Sequence, residues 1–183
     1  LAAAGHRIIR CVTQPDRPQG RGLVTRPSPV KAAAHALGLP IEEPDDLHAA
    51  AESLRTLNPE LGVAIAYGRI LPASLLAVPP QGMLGVHPSL LPRYRGASPM
   101  VWALLDGAAE TGVTVFRLNE RMDAGEILLQ HRTPVAERET IDSLSARLIA
   151  AGAGLLVDGL DAMARGAAVF TPQDAAAATY TTK

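Results

Sequence analysis

Features that define several common protein classes are scarce in this 183-residue sequence. It contains one cysteine, Cys11, so neither a disulfide framework nor a cysteine-based metal site can form. Aromatic residues make up only 3% of the chain, which argues against a base-stacking platform for nucleic acid. The formal net charge is -1, so no overall positive field attracts polyanions. Any polyanionic partner must therefore bind a local patch.

Targeting segments and nucleotide-binding motifs are also missing. No uninterrupted apolar stretch reaches about 18 residues, and no basic segment precedes an apolar core near the start, so we expect a cytoplasmic protein without membrane contact. The sequence has no Gly-x-Gly-x-x-Gly fingerprint and no Walker A motif, and its five histidines lack metal-ligand spacing. Nicotinamide cofactors, nucleotide hydrolysis and bound metal are therefore not expected.

Short apolar strands alternate with helices along the chain, and 48% of the residues are hydrophobic. This alternation predicts the α/β class. Residues 14–29, rich in proline, glycine and arginine, are predicted to form a long basic loop. The predicted strands are residues 7–13, 61–67 and 83–87, and residues 111–118 and 127–135 are predicted to pair as a hairpin. Four helices are predicted: residues 30–37, a helix capped by Asp46, residues 97–105, and a helix from Thr140 to Gly166.

His87 stands at the end of a predicted strand and is followed by a loop of glycine, proline and arginine. Ligands of open α/β sheets bind at this edge, where a histidine can transfer protons near neutral pH. An isolated histidine is also typical of a structural residue. Residues 123–125, Asp-Ala-Gly, indicate either a simple turn or an acid that orients an imidazole. Arg17 and Arg21 can contact phosphates or can belong to a solvated loop.

Three groups of motifs, in order along nearly the whole chain, resemble the formyltransferase domain of the methionyl-tRNA formyltransferase family. They are residues 13–22 followed by 27–31; residues 66–72; and residues 87–96 with 110–114 and 122–125. The resemblance implies a Rossmann-like, mostly parallel sheet with flanking helices. It also implies transfer of a formyl group from 10-formyltetrahydrofolate, a co-substrate, to the amino group of methionyl initiator tRNA in translation initiation. No metal is implied, and the parent protein is expected to be monomeric.

By this resemblance the catalytic residues are His87 and Asp123, which are 36 residues apart as in the family. Asp123 would orient His87 and raise its basicity, and His87 would manage the protons as the amine attacks. Gly85 stands where the family has asparagine, so a donor to the formyl oxygen is missing. Such a loss costs about 10²–10³ in rate unless a backbone N–H or a water substitutes.

The resemblance also assigns binding residues and domain limits. The expected folate-binding residues are Tyr67, Gly68, Ile70, Leu71, Ser89, Leu90, Leu91, Pro92 and Asp123. The expected tRNA-binding residues are Arg17, Arg21, Arg26, Arg93 and Arg95. Residues 1–170 are expected to be the catalytic domain without its first strand, and residues 171–183 a linker toward a further C-terminal domain.

Two alternatives stay open. The first is a relative that binds folate without turnover, suggested by Gly85. The second is a formyltransferase whose acceptor is the amine of a sugar nucleotide or a ribonucleotide, and the resemblance of residues 13–22 to the tRNA-modifying branch argues against it.

Overall fold

The computed structural model describes residues 1–19 and 24–182. The chain divides into two compact units, and each is described by itself. The first unit comprises Leu1–Gly62 and Tyr67–Gln81, and the second comprises Val63–Ala66 and Gly82–Lys183. Helices and strands occur in both units, which confirms the predicted α/β class.

In its described residues, the first unit combines three α-helices with two pairs of short strands. Its helices are α1 (Pro29–Ala36), α2 (Leu47–Arg55) and α3 (Ala73–Leu76), and its strands are β1 (Cys11–Val12), β2 (Arg17–Gln19), β3 (Val24–Arg26) and β4 (Ile41–Glu42). β1 and β4 are parallel, whereas β2 and β3 are antiparallel.

Side-chain caps fix where two of these helices begin. The Ser28 hydroxyl accepts a hydrogen bond from the Lys31 amide at 3.1 Å, and a proline occupies the first helical position of α1. As predicted, Asp46 caps α2, where its carboxylate accepts from the His48 amide at 2.8 Å. The small core of this unit consists of Leu47, Ala51 and Leu75, packed against Leu54, Tyr67, Leu71 and Val78.

The second unit is built on a four-stranded sheet with strand order β5-β6-β8-β9. Its strands are β5 (Gly62–Ala64, which enters this unit at Val63), β6 (Met83–His87), β7 (Arg95–Gly96), β8 (Glu110–Arg117), β9 (Ile127–Pro134) and β10 (Tyr180–Thr181), and its helices are α4 (Pro99–Leu105) and α5 (Ile141–Ala164). β6 and β9 both pair antiparallel with β8, as the predicted hairpin requires, whereas β7 and β10 are parallel. Parallel pairing thus occurs in β1–β4 and β7–β10.

Helix α5 covers one face of this sheet. It begins at Thr140, whose side chain and that of Ser143 cap each other's backbone amides. A Cβ on Gly152 would lie 3.1 Å from Val86 and 3.2 Å from Val113, so the helix lies directly against β6 and β8. By length and composition alone α5 could also cross a membrane. Its buried stripe, which faces the sheet, consists of Leu144, Leu148, Gly152, Leu156, Gly159 and Leu160.

Two predicted strands are shorter in the structure, and one predicted loop contains two paired strands. Residues 7–13 contribute only β1, because its partner β4 offers two residues for pairing. Residues 61–67 contribute only β5, since Ala66, with φ 48°, turns the chain out of the extended region. Residues 14–29 contain β2 and β3, where Pro18 is tolerated because both strands of a two-stranded ribbon are edges.

Residues 171–182, which the sequence predicts to be a linker, are packed on the second unit. Thr171 forms an antiparallel bridge with Ile127, Ala175–Ala177 form a 3₁₀ turn, and β10 pairs with β7. The alanine-rich composition favours a loop, but the threonine and tyrosine residues that follow supply hydrogen bonds. A further domain beyond this segment stays a prediction.

Candidate active site

His87 ends strand β6 and is buried, with 7% of its surface exposed. Its Nε2 lies 2.8 Å from the carbonyl oxygen of Tyr94. Because a carbonyl oxygen can only accept, Nε2 carries the hydrogen in this contact. Its Nδ1 lies 3.6 Å from Oδ2 of Asp123. Nδ1, facing a carboxylate, is therefore the ring nitrogen at which a proton can be gained or lost.

Asp123 approaches His87 from the turn between β8 and β9. Its φ is 48°, in the left-handed region that aspartate tolerates better than most residues. Its Oδ2 accepts a hydrogen bond from the Gly96 amide at 2.8 Å. A Cβ on Gly125 would lie 1.7 Å from the carbonyl oxygen of Arg117, so the turn requires glycine there. The Asp-Ala-Gly sequence thus serves both predicted roles, a tight turn and a carboxylate beside the imidazole.

Thr114, which the sequence analysis does not single out, anchors the loop that follows His87. Its hydroxyl donates to the Ser89 carbonyl at 2.7 Å and accepts from the Leu91 amide at 3.1 Å. Gln130 Nε2 lies 2.9 Å from both the Thr114 hydroxyl and the Leu91 carbonyl oxygen. Thr114 lies opposite His87 in the β6–β8 register. The alternation of residues along β8 was the signal that could have placed Thr114 on the same face of the sheet as His87.

The predicted folate-binding residues of this loop are largely enclosed. Ser89, Leu90 and Leu91 are buried, and the Ser89 hydroxyl donates to the carbonyl oxygen of Arg93 at 2.6 Å. Pro92 is half-buried. Because these side chains serve the packing of the loop itself, their contact with a ligand would be made mainly through the backbone and through Pro92.

The other predicted folate-binding residues lie in the first unit. Tyr67 is half-buried, and its carbonyl oxygen accepts a hydrogen bond from the Gln14 carboxamide. Gly68 adopts φ 77°, which favours glycine. Ile70 is 92% exposed, whereas Leu71 packs against the core of that unit. Ile70 is therefore the member of this group with a large apolar side chain free of packing.

The space beside Gly85 is filled by Phe116, its cross-strand partner. A Cβ on Gly85 would lie 2.8 Å from the Phe116 ring and 2.8 Å from Leu118. The Phe116 ring also meets His87 edge-on, with ring centroids 6.5 Å apart and planes at 84°. Glycine at position 85 and phenylalanine at position 116 are therefore complementary in volume. The sequence shows that position 85 lacks a side chain, and the structure shows that Phe116 occupies the space beside it.

The five predicted tRNA-binding arginines fall into different environments. Arg26 and Arg93 are exposed, and Arg17 lies opposite Arg26 in the β2–β3 register. Arg21 lies outside the described residues. Arg95 is only 5% exposed, and its guanidinium donates to the Gln173 carboxamide and the Tyr180 hydroxyl. This placement makes Arg95 an internal cross-link, because its cation is buried and already hydrogen-bonded.

Tyr94 is a second buried titratable residue next to the site. Burial, followed by a hydrogen bond with Asp106, raises the pKa of its phenol. The phenol therefore stays protonated near neutral pH and cannot serve as a base. Arg93 Nη2 lies 3.1 Å from this hydroxyl. Within residues 1–19 and 24–182, no group of three or more histidine, cysteine, aspartate or glutamate residues could hold a metal ion.

The fold defines an α/β protein of the Rossmann-like class, in which a buried histidine at a strand end contacts a partly exposed aspartate. A crystal structure of glycinamide ribonucleotide transformylase 1 from Symbiobacterium toebii superposes with TM-score 0.76 and 24% identity, covering 92% of this chain and 81% of that one. A formyltransferase from Anoxybacillus kamchatkensis, solved with tetrahydrofolate and a formamido sugar nucleotide, gives TM-score 0.68 and 20% identity over 94% of this chain and 85% of that one. These likenesses confirm the expected Rossmann-like fold.

The family model described as formyl transferase matches residues 2–160, and the chain belongs to this family. Methionyl-tRNA formyltransferase of Moorella thermoacetica is 47% identical over 98% of this chain and 58% of its own length. The protein of the same name from Roseiflexus castenholzii is 48% identical over 99% of this chain and 58% of its own length. The chain thus spans somewhat more than half the length of these relatives.

Proposed function

We propose that this chain carries the catalytic part of a methionyl-tRNA formyltransferase, which formylates the amino group of methionyl initiator tRNA. The observation that carries the proposal is the His87–Asp123 contact of 3.6 Å at the end of β6. It is supported by the 47% identity to a relative of that name across nearly the whole chain. A cytoplasmic location and a monomeric parent protein belong to the same proposal.

The proposed formyl donor is 10-formyltetrahydrofolate, which supplies the carbon that becomes bonded to the methionine nitrogen as its bond to folate N10 breaks. The amine loses a proton in this exchange, and N10 gains one. The family supports this donor, and the neighbour solved with tetrahydrofolate has the same fold. The His87–Asp123 pair suits the reaction, because one side chain can hold a proton next to another that can accept one.

The geometry assigns different tasks to the two residues. Asp123, with a side chain 21% exposed, is the more accessible member and would accept the amine proton, directly or through a water. His87, with Nε2 committed to the Tyr94 carbonyl, would hold its mobile proton at Nδ1. A protonated imidazole would place positive charge near the formyl oxygen, where Gly85 supplies no side-chain donor.

Arginines are the proposed contacts to tRNA phosphates. Arg26 is exposed and lies opposite Arg17 in the β2–β3 register. Arg93 is exposed in the site loop. Arg21 belongs to this group by its motif. Such contacts bind by charge and predict an affinity that falls as salt rises.

The direct test is formyl transfer from 10-formyltetrahydrofolate to methionyl initiator tRNA, with the chain expressed together with the sequence its gene encodes around it. Uncharged tRNA, glycinamide ribonucleotide and an amino sugar nucleotide complete the acceptor panel. Formylation of methionyl-tRNA alone is the expected result. Transfer to one of the small amines instead would replace the proposed acceptor.

One structural observation favours a second candidate, a relative that binds folate without turnover. The space beside Gly85 is filled by Phe116, so no side chain can donate to the formyl oxygen from position 85. Under this candidate, folate binds with a measurable dissociation constant while formylation stays at the background rate. Calorimetry with tetrahydrofolate, run beside the acceptor panel, separates the two.

A further inference from the structure

The side chain of Gln173 joins the two loops that carry the site. Its Oε1 accepts hydrogen bonds from Arg95 Nε at 3.0 Å and Nη2 at 2.7 Å. Its Nε2 donates to the carbonyl oxygens of Asp123 at 2.9 Å and Gly125 at 2.7 Å. Because a guanidinium only donates and a carbonyl only accepts, these partners fix the orientation of the carboxamide. Both of its hydrogens and both lone pairs of its oxygen are used.

The segment that contains Gln173 also holds the second contact of His87. The Tyr94 amide donates to the Thr179 hydroxyl at 2.8 Å, and the Arg95 amide donates to the Thr179 carbonyl at 2.8 Å. The Thr181 hydroxyl lies 3.1 Å from the Arg95 carbonyl oxygen. Tyr94 is the residue whose carbonyl accepts from His87. Residues 173–181 therefore fix the backbone on both sides of the imidazole.

This segment has little other anchorage that would explain its position. It follows the 2–160 match to the family and forms only a 3₁₀ turn and a two-residue strand. Residues 174–177 are exposed. The hydrogen bonds of Gln173 and Thr179 are thus directed at the loops that present Asp123 and Tyr94.

We propose that Gln173 is a positioning residue, which sets the distance between Asp123 and His87 by tying the Asp123 turn to Arg95. The catalytic consequence rests on the function proposed above. A carboxamide suits this task because it bridges a cation and two carbonyl groups at once. A glutamate would keep the Arg95 contact but would turn a carboxylate oxygen toward the two carbonyl oxygens.

The test compares Gln173→Glu with Gln81→Glu, an exposed glutamine of the first unit. For Gln173→Glu we expect kcat to fall roughly 10- to 100-fold, because small misplacements of catalytic groups have effects of that size. The KM for methionyl-tRNA should change by less than about twofold, since no substrate contact is removed. Gln81→Glu should leave both constants unchanged.

A second measurement does not depend on activity. Nitrogen-15 NMR of labelled imidazoles reports the environment of His87, with His87→Gln used to assign its signals. Gln173→Glu should move the Nδ1 signal of His87, and Gln81→Glu should not. If the wild-type chain forms no product, the proposed function fails while the NMR comparison still tests Gln173.

Thr179→Val provides a variant that keeps the shape of the segment and removes the acceptor for the Tyr94 amide. It should move the Nε2 signal of His87 more than the Nδ1 signal, the reverse of Gln173→Glu, and it serves as the test if Gln173→Glu does not fold. Lower thermal stability with unchanged kcat and unchanged His87 signals in these variants would overturn the proposal and leave the segment a structural role only.

Discussion

Two segments that the family resemblance assigns to folate binding differ in what their side chains do. In the loop 88–96, Ser89 and Leu91 are buried and the polar groups are hydrogen-bonded to one another and to Thr114. In residues 67–72 of the first unit, Ile70 is 92% exposed and Tyr67 is half-buried. The first segment is a scaffold, and the second presents side chains to solvent.

This difference separates two kinds of functional residue. A catalytic pair needs fixed geometry, so the sequence around it is used for internal hydrogen bonds. A binding surface needs side chains that become buried only with the ligand. Substitutions in the scaffold should therefore change turnover or stability, and substitutions in the exposed segment should change binding alone.

The largest effect is expected for Asp123→Asn. Asparagine tolerates the φ of 48° and can still accept from the Gly96 amide, so the fold should persist. It cannot take up a proton, and kcat should fall by about 10²–10⁴. Single-turnover formylation measures this loss. The matched control is Asp161→Asn on the exposed side of α5, and an equal loss in both variants would refute the role of Asp123.

The next effect concerns the space shared by Gly85 and Phe116. Gly85→Asn alone should destabilise the fold by about 1–3 kcal/mol, because its Cβ would lie 2.8 Å from the Phe116 ring. Combined with Phe116→Leu, the cost should be clearly smaller than the sum of the single costs. Urea unfolding of the four proteins measures the coupling.

The same double variant tests the second candidate function, a relative that binds folate without turnover. If formylation increases in Gly85→Asn/Phe116→Leu over the wild type, the missing donor limits the natural chain. If the wild type is active and the double variant adds nothing, backbone or water already supplies the hydrogen bond. Strict additivity of the unfolding free energies would show that the two positions do not share space.

Local patterns predicted the parts of this site that depend on local physics. The bounds of β6, the Asp46 and Thr140 caps and the position of His87 at a strand end are confirmed, because strand periodicity and capping involve residues only a few positions apart. The pairing of His87 with Asp123 came from the resemblance, since two residues 36 positions apart share no local signal.

What the sequence did not predict depends on distant packing. The contact of Gln173 with Arg95 spans 78 positions. The local sequence around Gln173, Pro-Gln-Asp before a run of alanines, favours a linker. Phe116 is one apolar residue of an alternating strand, and only the β6–β8 register places it against Gly85. Contacts between residues so far apart leave no repeating pattern in the sequence from which they could be predicted.

The contrast between Arg93 and Arg95 gives the third expected effect. Arg95→Ala should destabilise the chain by about 1–3 kcal/mol, because it leaves the oxygen of the half-buried Gln173 side chain without its donors. Arg93→Ala should cost less, about 0.5–1 kcal/mol, since Arg93 is exposed and its removal breaks the hydrogen bond to the Tyr94 hydroxyl. Its expected effect is on tRNA affinity, where the salt dependence should lose about one unit of slope.

Filter binding at several salt concentrations and urea unfolding, run on both variants, measure this contrast. Arg26→Ala is the matched surface control for Arg93→Ala, because both are exposed arginines proposed to meet phosphate. Equal loss of stability in Arg93→Ala and Arg95→Ala would contradict the assignment of Arg95 as an internal cross-link.

The smallest effect is expected at Ile70, and it tests the exposed segment directly. Ile70→Ser should not change the unfolding free energy by more than about 0.5 kcal/mol, because the side chain is 92% exposed and makes little packing. If folate covers this side chain, its loss removes roughly 1–2 kcal/mol of apolar burial and raises the KM for 10-formyltetrahydrofolate by about tenfold. The value of kcat should stay within about twofold.

Ile149→Ser is the control, since Ile149 is 70% exposed on α5 and has no predicted ligand. Equal KM values for the two serine variants would place Ile70 outside the folate site, whereas a fall in kcat at Ile70 alone would mean that the segment positions the reacting groups as well as binding the donor.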